Sequence, residues 1–475
     1  MKPIVTIPRN RATALALICV LVGSFPALAG NAPQLSADAR ATIDEIARNG
    51  LSVTGVPSAS LAVVKDGQIV YEQAYGDARL DPKTLAKPEM RYSAGSISKQ
   101  FTSAVILILQ EQGKLSLDDK VSKRVPGLTR GDEVTIRQLL SHTSGYPDYA
   151  PQDYMIPDWE RPISAQQIMD RWAKIPLDFD PGTKWQYSNT NYVIAGVIVE
   201  KVGGKPLFEL LQEYVFKPLN MASTTNTDLQ KLPHSDPAGY FRYALGPLRP
   251  APKEGPGWMF AAGELAMTAE DLAKWDIAVL NQRVLSASSW HEMETETVLK
   301  NGLGTRYGLG VSVLADNGRR WLEHSGEVSG FTAENIVLPD DGFAVAVLTN
   351  QDAAGAASQI ARGVVSWFVN STSVQNPEKD ALVRKVFDGL KQGSIDRGLF
   401  TSNSNSYFTD LALKDYSSSL GPLGEPQSFV QSYMSLRGGM THRVYTVKYQ
   451  TKTLRINIYE MPDGKFEQFL IAATE

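Results

Sequence analysis

Ser96-Ile97-Ser98-Lys99-Gln100-Phe101-Thr102-Ser103-Ala104-Val105-Ile106-Leu107-Ile108-Leu109-Gln110-Glu111-Gln112 is the stretch from which the fold is best read. It predicts a helix, stopped by Gly113, whose residues from Phe101 to Leu109 are apolar on nearly every side. A helix of that kind is buried between layers rather than laid on a surface. Its first turn carries Ser96 and Lys99, and residues three apart share one helical face. A serine hydroxyl is a weak nucleophile until its proton is taken. A lysine takes it once burial and neighbouring positive potential lower its pKa, and a helix N-terminus contributes such potential. The bland reading of an isolated Ser-x-x-Lys is a capping serine followed by a solvated lysine.

Two more motifs follow in order, Tyr187-Ser188-Asn189 and His324-Ser325-Gly326, and the chain has no second copy of any of the three patterns. Tyr187 and Asn189 sit between a loop beginning at Pro181-Gly182 and a helix expected from about Asn191 to Val202. A phenol there can pass protons, and a carboxamide offers both donor and acceptor to an amide substrate. His324 is expected at the end of a strand starting near Arg319, with Gly326 allowing close backbone approach. The histidine can donate to substrate, assist proton transfer or, if protonated, bind a carboxylate.

Around these motifs the sequence alternates in strand fashion at both ends. Ala59 to Tyr75 reads as a hairpin turning on Lys65-Asp66-Gly67, Gly310 to Leu322 as one turning on Asp316-Asn317-Gly318, and Thr332 to Thr349 as one turning on Pro339-Asp340-Asp341-Gly342. More than 200 residues rich in helix and loop signals separate the first hairpin from the others. Strands from both ends must therefore meet in one sheet, with the middle as a second, mostly helical lobe. Further helices are expected at Ala269 to Asn281 and Ala354 to Phe368. Asn370-Ser371-Thr372-Ser373 reads as a linker. Beyond it come a helix from about Glu378 to Lys391, a polar stretch Thr401 to Ser406, and strands Val444–Tyr449, Leu454–Tyr459 and Phe466–Ile471, a small α+β domain. The expected division is 1–29, 30–372 and 373–475.

The first 29 residues combine Lys2, Arg9 and Arg11, an apolar run from Ala12 to Val22, and Ala27-Leu28-Ala29, the pattern of a cleaved export signal. The apolar run is about half the ~20 residues needed to span a bilayer. No stable membrane anchor is expected after cleavage, and the expected location is periplasmic or extracellular. Cys19, the only cysteine, lies in this segment, so the mature chain has neither thiol nor disulfide. Removing the segment moves the formal net charge from -4 to -7. A mildly acidic chain without basic runs gives nucleic-acid binding no support. His142, His234, His291 and His442 are scattered, and no metal or other cofactor is expected. Tyr146, Tyr149, Tyr154, Trp159 and Trp172 either line a cleft or pack beneath a long loop.

Together the three motifs resemble the active site of the serine β-lactamase and penicillin-binding protein superfamily, in the group with class C β-lactamases, D-aminopeptidases, secreted D,D-carboxypeptidases and related esterases. The resemblance runs from about Ser36 to Phe368. It is also carried by Leu139-Leu140-Ser141-His142-Thr143-Ser144-Gly145, Phe179-Asp180-Pro181-Gly182, Phe216-Lys217-Pro218-Leu219-Asn220-Met221 and Ala261-Ala262-Gly263-Glu264-Leu265. It implies an α/β (α+β) fold, an antiparallel sheet flanked by helices. It also implies that Ser96 forms an acyl-enzyme, that Lys99 and Tyr187 share the base role, and that Asn189 orients the substrate amide. The implied oxyanion hole is the backbone N–H of Ser96 with that of Glu327.

Many β-lactamases and carboxypeptidases carry Lys-Thr-Gly where this chain has His324-Ser325-Gly326. The expectation thereby moves from efficient β-lactam hydrolysis toward a secreted peptidase or amidase acting on peptide or D-amino-acid substrates. A carboxylesterase or weak β-lactamase with the same site is the alternative, and a non-catalytic penicillin-binding-type sensor a second. The expected partner is a small peptide, amide or ester.

Overall fold

The computed structural model describes residues 35–474 except 153, 317–318, 373–376 and 438. The leader segment, the tip of the second hairpin and Ser373 of the expected linker lie outside the described residues. The first hairpin joins β1 (Ser58–Lys65) to β2 (Gln68–Leu80), and β3 (Lys83–Leu85) follows on the edge. Its turn residues Asp66 and Gly67 both have positive φ, 50° and 75°, the geometry that a tight hairpin demands. From the other end of the sequence come β4 (Ser312–Asp316), β5 (Arg319–Val328), β6 (Phe331–Leu338) and β7 (Phe343–Thr349). They form one sheet in the order β3-β2-β1-β7-β6-β5-β4. The joint is β1 against β7, antiparallel with Ala62 opposite Ala346.

Strand periodicity puts successive side chains on opposite faces, and here both faces are covered. Phe343, Val345 and Val347 of β7 face α1 (Ala37–Thr54) and α5 (Ala356–Thr372) with Leu61 and Val63. Ala344, Ala346 and Leu348 face a second, larger core with Ala62 and Val64. That core holds α2 (Ser98–Glu111), α3 (Asn189–Gly203) and α4 (Ala269–Leu280) and extends into the helical lobe. Every residue of α2 from Ser98 to Leu109 is buried, as its apolar circumference requires. Ser96 itself lies in a 3-10 turn, Gly95–Ile97, that leads into α2.

Several boundaries differ from the sequence reading. β5 runs two residues past Gly326, because Glu327 and Val328 stay paired with Thr332 and Phe331. α3 starts at Asn189 rather than Asn191. α5 continues through Asn370 to Thr372, so the first residues of the expected linker are helical. In the C-terminal region α6 (Pro377–Lys391) matches the expected helix. The polar stretch, however, is itself helical, α7 (Ser402–Tyr407), and α8 (Asp410–Leu420) follows. Thr401 and Thr409 cap them, each side-chain oxygen accepting a backbone N–H. A four-stranded antiparallel sheet, β8 (Ser428–Arg437), β9 (Met440–Lys448), β10 (Thr453–Glu460) and β11 (Phe466–Thr474), packs its own core of Phe387, Tyr445, Ile456, Ile458 and Phe466 on these helices. The first of these strands is absent from the sequence reading.

Behind α2 runs a buried polar chain. Trp275 Nε1 donates to Gln100 Oε1, Gln100 Nε2 to Asn335 Oδ1, and Asn335 Nδ2 to Asp276 Oδ1. Asp276 Oδ2 has no hydrogen-bond partner among the described residues, and burial pushes the carboxyl up to about 8. The folded state thus holds a proton here that the unfolded chain releases near pH 4, so this group's contribution to stability is lost as pH rises from about 4 through about 8. Asp276→Asn, which needs no proton, is expected to flatten the decline of melting temperature over that range. A thermal-denaturation series from pH 4 to 9 checks it.

Candidate active site

Lys99 is fully buried, and its ammonium nitrogen has three neighbours at one distance, 2.8 Å: Ser96 Oγ, Asn189 Oδ1 and the Ala262 carbonyl oxygen. Burial brings its pKa down to about 7, against the opposing pull of the Asp148 charge. A neutral amine has two N–H donors and one lone pair. Asn189 Oδ1 and Ala262 O can only accept, so they take both N–H groups. The lone pair is left facing Ser96, the one neighbour able to donate. This arrangement can take a proton from the serine hydroxyl without any side chain moving.

Tyr187 is buried beside them, and its hydroxyl hydrogen-bonds Ser96. Burial pushes the phenol pKa far above its usual value, so Tyr187 stays protonated near neutrality. Its ring lies 4.3 Å, centroid to centroid, from that of His142. His142 Nδ1 accepts the Ser188 N–H at 3.2 Å, fixing the Tyr-Ser-Asn turn from behind. On the other side, Asp148 Oδ1 accepts the Asn189 N–H at 2.9 Å. This carboxylate, 41 residues upstream, caps α3 and accounts for the helix starting at Asn189.

The third motif meets the turn bearing Ser96 through its backbone. A Cβ placed on Gly326 would stand 1.9 Å from Ala94 O and 3.3 Å from Ser96 N. One on Gly95, whose φ is +53°, would stand 2.6 Å from Glu327 N. Glycine at both positions lets β5 press against the turn bearing Ser96, which brings the Ser96 and Glu327 amides to one place. Paired backbone N–H groups held this way suit a developing oxyanion.

His324 lies in the wall of the cleft as a neutral ring. Burial, with Lys99 nearby, lowers its pKa to about 4. Nδ1 is 2.6 Å from Ser325 O, which only accepts, so Nδ1 carries the proton; Nε2 then accepts from the Tyr307 hydroxyl at 2.8 Å. Both nitrogens are thus engaged by the protein. The protonated, carboxylate-binding form raised from sequence is disfavoured, and the ring contributes shape and support for β5.

A cleft of about 820 Å³ opens over Ser96. Tyr149, Tyr154, Trp159 and Trp185 line it with Tyr187, so three of the five aromatics considered from sequence face the cleft; Tyr146 and Trp172 do not line it. Asp148, Glu254, Glu327 and Asp352 also line it, and among its described lining residues there is no lysine or arginine. No group of three or more potential metal ligands occurs among the described residues. The structure places Ser96, Lys99, Tyr187, Asn189, His324, Gly326 and Glu327, the residues named from sequence, around one cleft. The sequence assigned no role to Asp148, Gly95 or Tyr307, and His142 stood out only within the Leu139–Gly145 block and among the scattered histidines. That block, and the place of Tyr307 just ahead of the second hairpin, were the available signals.

The Beta-lactamase family model matches residues 43–365. Protein flp of Staphylococcus aureus (strain MW2) is 27% identical over 331 residues, covering 67% of this chain and 64% of its own length. Among solved structures, a D-stereospecific amidohydrolase from Streptomyces sp. superposes with a TM-score of 0.59 at 29% identity, over 67% of this chain and 96% of that one. The octameric penicillin-binding protein homologue from Pyrococcus abyssi, 22% identical, shares the fold with a TM-score of 0.61 over 92% of this chain and 96% of its own. With its antiparallel sheet, buried Ser-x-x-Lys helix and matched residues 43–365, the chain belongs to the Beta-lactamase family, within the serine β-lactamase and penicillin-binding protein superfamily.

Proposed function

We propose that this chain is an exported serine amidohydrolase that forms an acyl-enzyme on Ser96 with a peptide or amino-acid amide, D-amino-acid amides included. The observation that carries this reading is the Lys99 lone pair facing Ser96 Oγ at 2.8 Å, between two carbonyl acceptors. In the reaction, Lys99 takes the Ser96 proton while Oγ bonds to the substrate carbonyl carbon. The carbonyl oxygen becomes an oxyanion between the Ser96 and Glu327 N–H groups. Tyr187, kept as a phenol, gives its proton to the leaving amine and is reprotonated from Lys99. Water then attacks the ester carbonyl carbon, its proton moving to the same pair; the bond from that carbon to Ser96 Oγ breaks, and Oγ takes the proton back as the acid leaves.

The acidic, aromatic cleft favours a substrate with a free amine over one presenting a carboxylate. Likeness to a D-stereospecific amidohydrolase supports the same class. The residues 1–29 support export through their signal pattern, and among the described residues no helix is long and apolar enough to cross a membrane.

D-alanine p-nitroanilide, a p-nitrophenyl ester and a cephalosporin, assayed side by side on wild type and Ser96→Ala, test the proposal. We expect Ser96-dependent anilide turnover, with kcat/KM for the cephalosporin at least about a hundredfold lower, the scale of one lost charged contact. Ester turnover without anilide turnover would make the enzyme an esterase, and binding without any turnover would make it a sensor. The pH profile follows from Lys99. The amine is competent only when neutral, so kcat/KM is expected to rise with pH through about 7.

A further inference from the structure

Asp148 belongs to none of the three motifs, yet it ties the substrate-facing carboxamide to the base. Its Oδ1 accepts the N–H of Asn189 at 2.9 Å and of Ala150 at 3.1 Å, and its Oδ2 accepts Asn189 Nδ2 at 3.3 Å. Burial raises the pKa of this carboxyl, and the three N–H groups facing its two oxygens, with the Lys99 charge, oppose that rise and favour the ionised form. Because a carboxylate only accepts, Asn189 must turn its NH2 toward Asp148 and its oxygen toward Lys99. The opposite rotamer would set oxygen against carboxylate and NH2 against the Lys99 N–H groups.

We propose that Asp148 is a positioning residue for activation of Ser96: it locks the Asn189 carboxamide so that the lone pair of Lys99 falls on the serine hydroxyl, and as a nearby anion it favours the ammonium over the base form of Lys99. This rests on the acyl-transfer reading above. The groups facing Lys99 come from several elements. They are Ser96 from its own turn, Tyr187 and Tyr192 with ring centroids at 4.9 and 5.5 Å, Asn189, the Ala262 carbonyl, His142 from the lobe and His324 from β5. Burial keeps both histidines and both phenols neutral near pH 7. Among the described residues, Asp148 is therefore the charge that acts on Lys99. A neighbouring anion favours the ammonium, so its removal makes Lys99 neutral at lower pH.

The test is the rate of Ser96 modification by a fluorophosphonate as a function of pH in wild type, Asp148→Asn, Asp148→Ser and Asp148→Glu. Asp148→Asn turns an NH2 against that of Asn189 and removes the charge. Its acid limb is expected to move down by about one pH unit, and its plateau rate to fall roughly tenfold or more. Asp148→Ser, smaller and uncharged, gives the same downward shift should the asparagine variant fold poorly. Asp148→Glu keeps the charge and displaces the carboxylate, so the limb stays in place while the plateau falls. Carbon-13 NMR of Lys99 labelled at Cε follows its titration directly, and the same downward shift is expected in both uncharged variants whether or not the protein turns over a substrate. Loss of labelling in wild type would therefore count against the acyl-transfer reading alone. An unshifted Lys99 titration in the uncharged variants, or equal plateau losses in all three variants with no movement of the limb, would overturn the role of Asp148.

Discussion

Lys99→Met is expected to lower kcat/KM for the anilide substrate by about three orders of magnitude, within the range that a positioned general base supplies. Methionine fills the buried volume but has no lone pair basic enough for the Ser96 proton. Tyr187 does not replace it, because burial holds the phenol protonated near neutrality. The same variant is expected to change stability in a way that ties the effect to the amine. Folding lowers the Lys99 pKa to about 7, from about 10.4 in an unfolded chain. Between those values the unfolded state binds more protons, so wild-type stability rises with pH across the interval and is lowest, on this account, below pH 7. Lys99→Met removes that dependence, while leaving Asn189 Oδ1 and Ala262 O without their donor. The difference in melting temperature, variant minus wild type, should therefore fall steadily from pH 7 to pH 10. Thermal melts with initial-rate kinetics on one preparation measure both effects.

Gly326→Ala carries the second large effect, and it acts through backbone alone. The added methyl would lie 1.9 Å from Ala94 O and 2.9 Å from its carbonyl carbon, atoms that no rotamer change removes. β5 must move off the turn bearing Ser96 by roughly 1.5 Å to restore ordinary contact. That parts the Glu327 and Ser96 amides. Loss of one oxyanion donor typically costs a factor of about 10² to 10³ in kcat, and misplacement of about 1 Å can cost a further 10². We expect kcat to fall by at least about 10³ with KM changed far less, and overpacking to cost about 1–3 kcal/mol of stability. Steady-state kinetics and denaturant titration of the variant check both values. Retention of kcat within tenfold would show that the two amides do not act as a pair.

How far the sequence revealed the site follows from the range of each contact. Ser96 and Lys99 were legible because spacing along one turn fixes their geometry. Tyr187, Asn189 and His324 were legible because each stands in a short motif beside a recognisable turn or strand. Asp148 was not: its partner is the amide of Asn189, and nothing in Tyr146-Pro147-Asp148-Tyr149 points 41 residues downstream. Gly95 was hidden for a similar reason, since its constraint is the approach of Glu327 from another strand. The neutrality of His324 also depends on partners outside its motif, Tyr307 and the surrounding burial.

The sheet was legible from its hairpin turns and the apolar strands flanking them, down to the meeting of strands from opposite ends of the chain, although β1, β6 and β7 are buried on both faces. The C-terminal helices α7 and α8 were not. Ser402-Asn403-Ser404-Asn405-Ser406 is a poor helix former by composition. It is held by the Thr401 cap and by Phe400 and Phe408, whose rings pack 5.1 Å apart in a core shared with Phe466. Tertiary burial there overrides local preference.

The central claim is that Lys99 activates Ser96 as a covalent nucleophile. Intact-protein mass spectrometry after incubation with a fluorophosphonate tests it most directly, with wild type, Ser96→Ala and Lys99→Met compared at pH 8. A single stoichiometric adduct is expected on wild type, none on Ser96→Ala, and a strongly slowed adduct on Lys99→Met. An unmodified wild type, or an adduct that persists in Ser96→Ala, would contradict it.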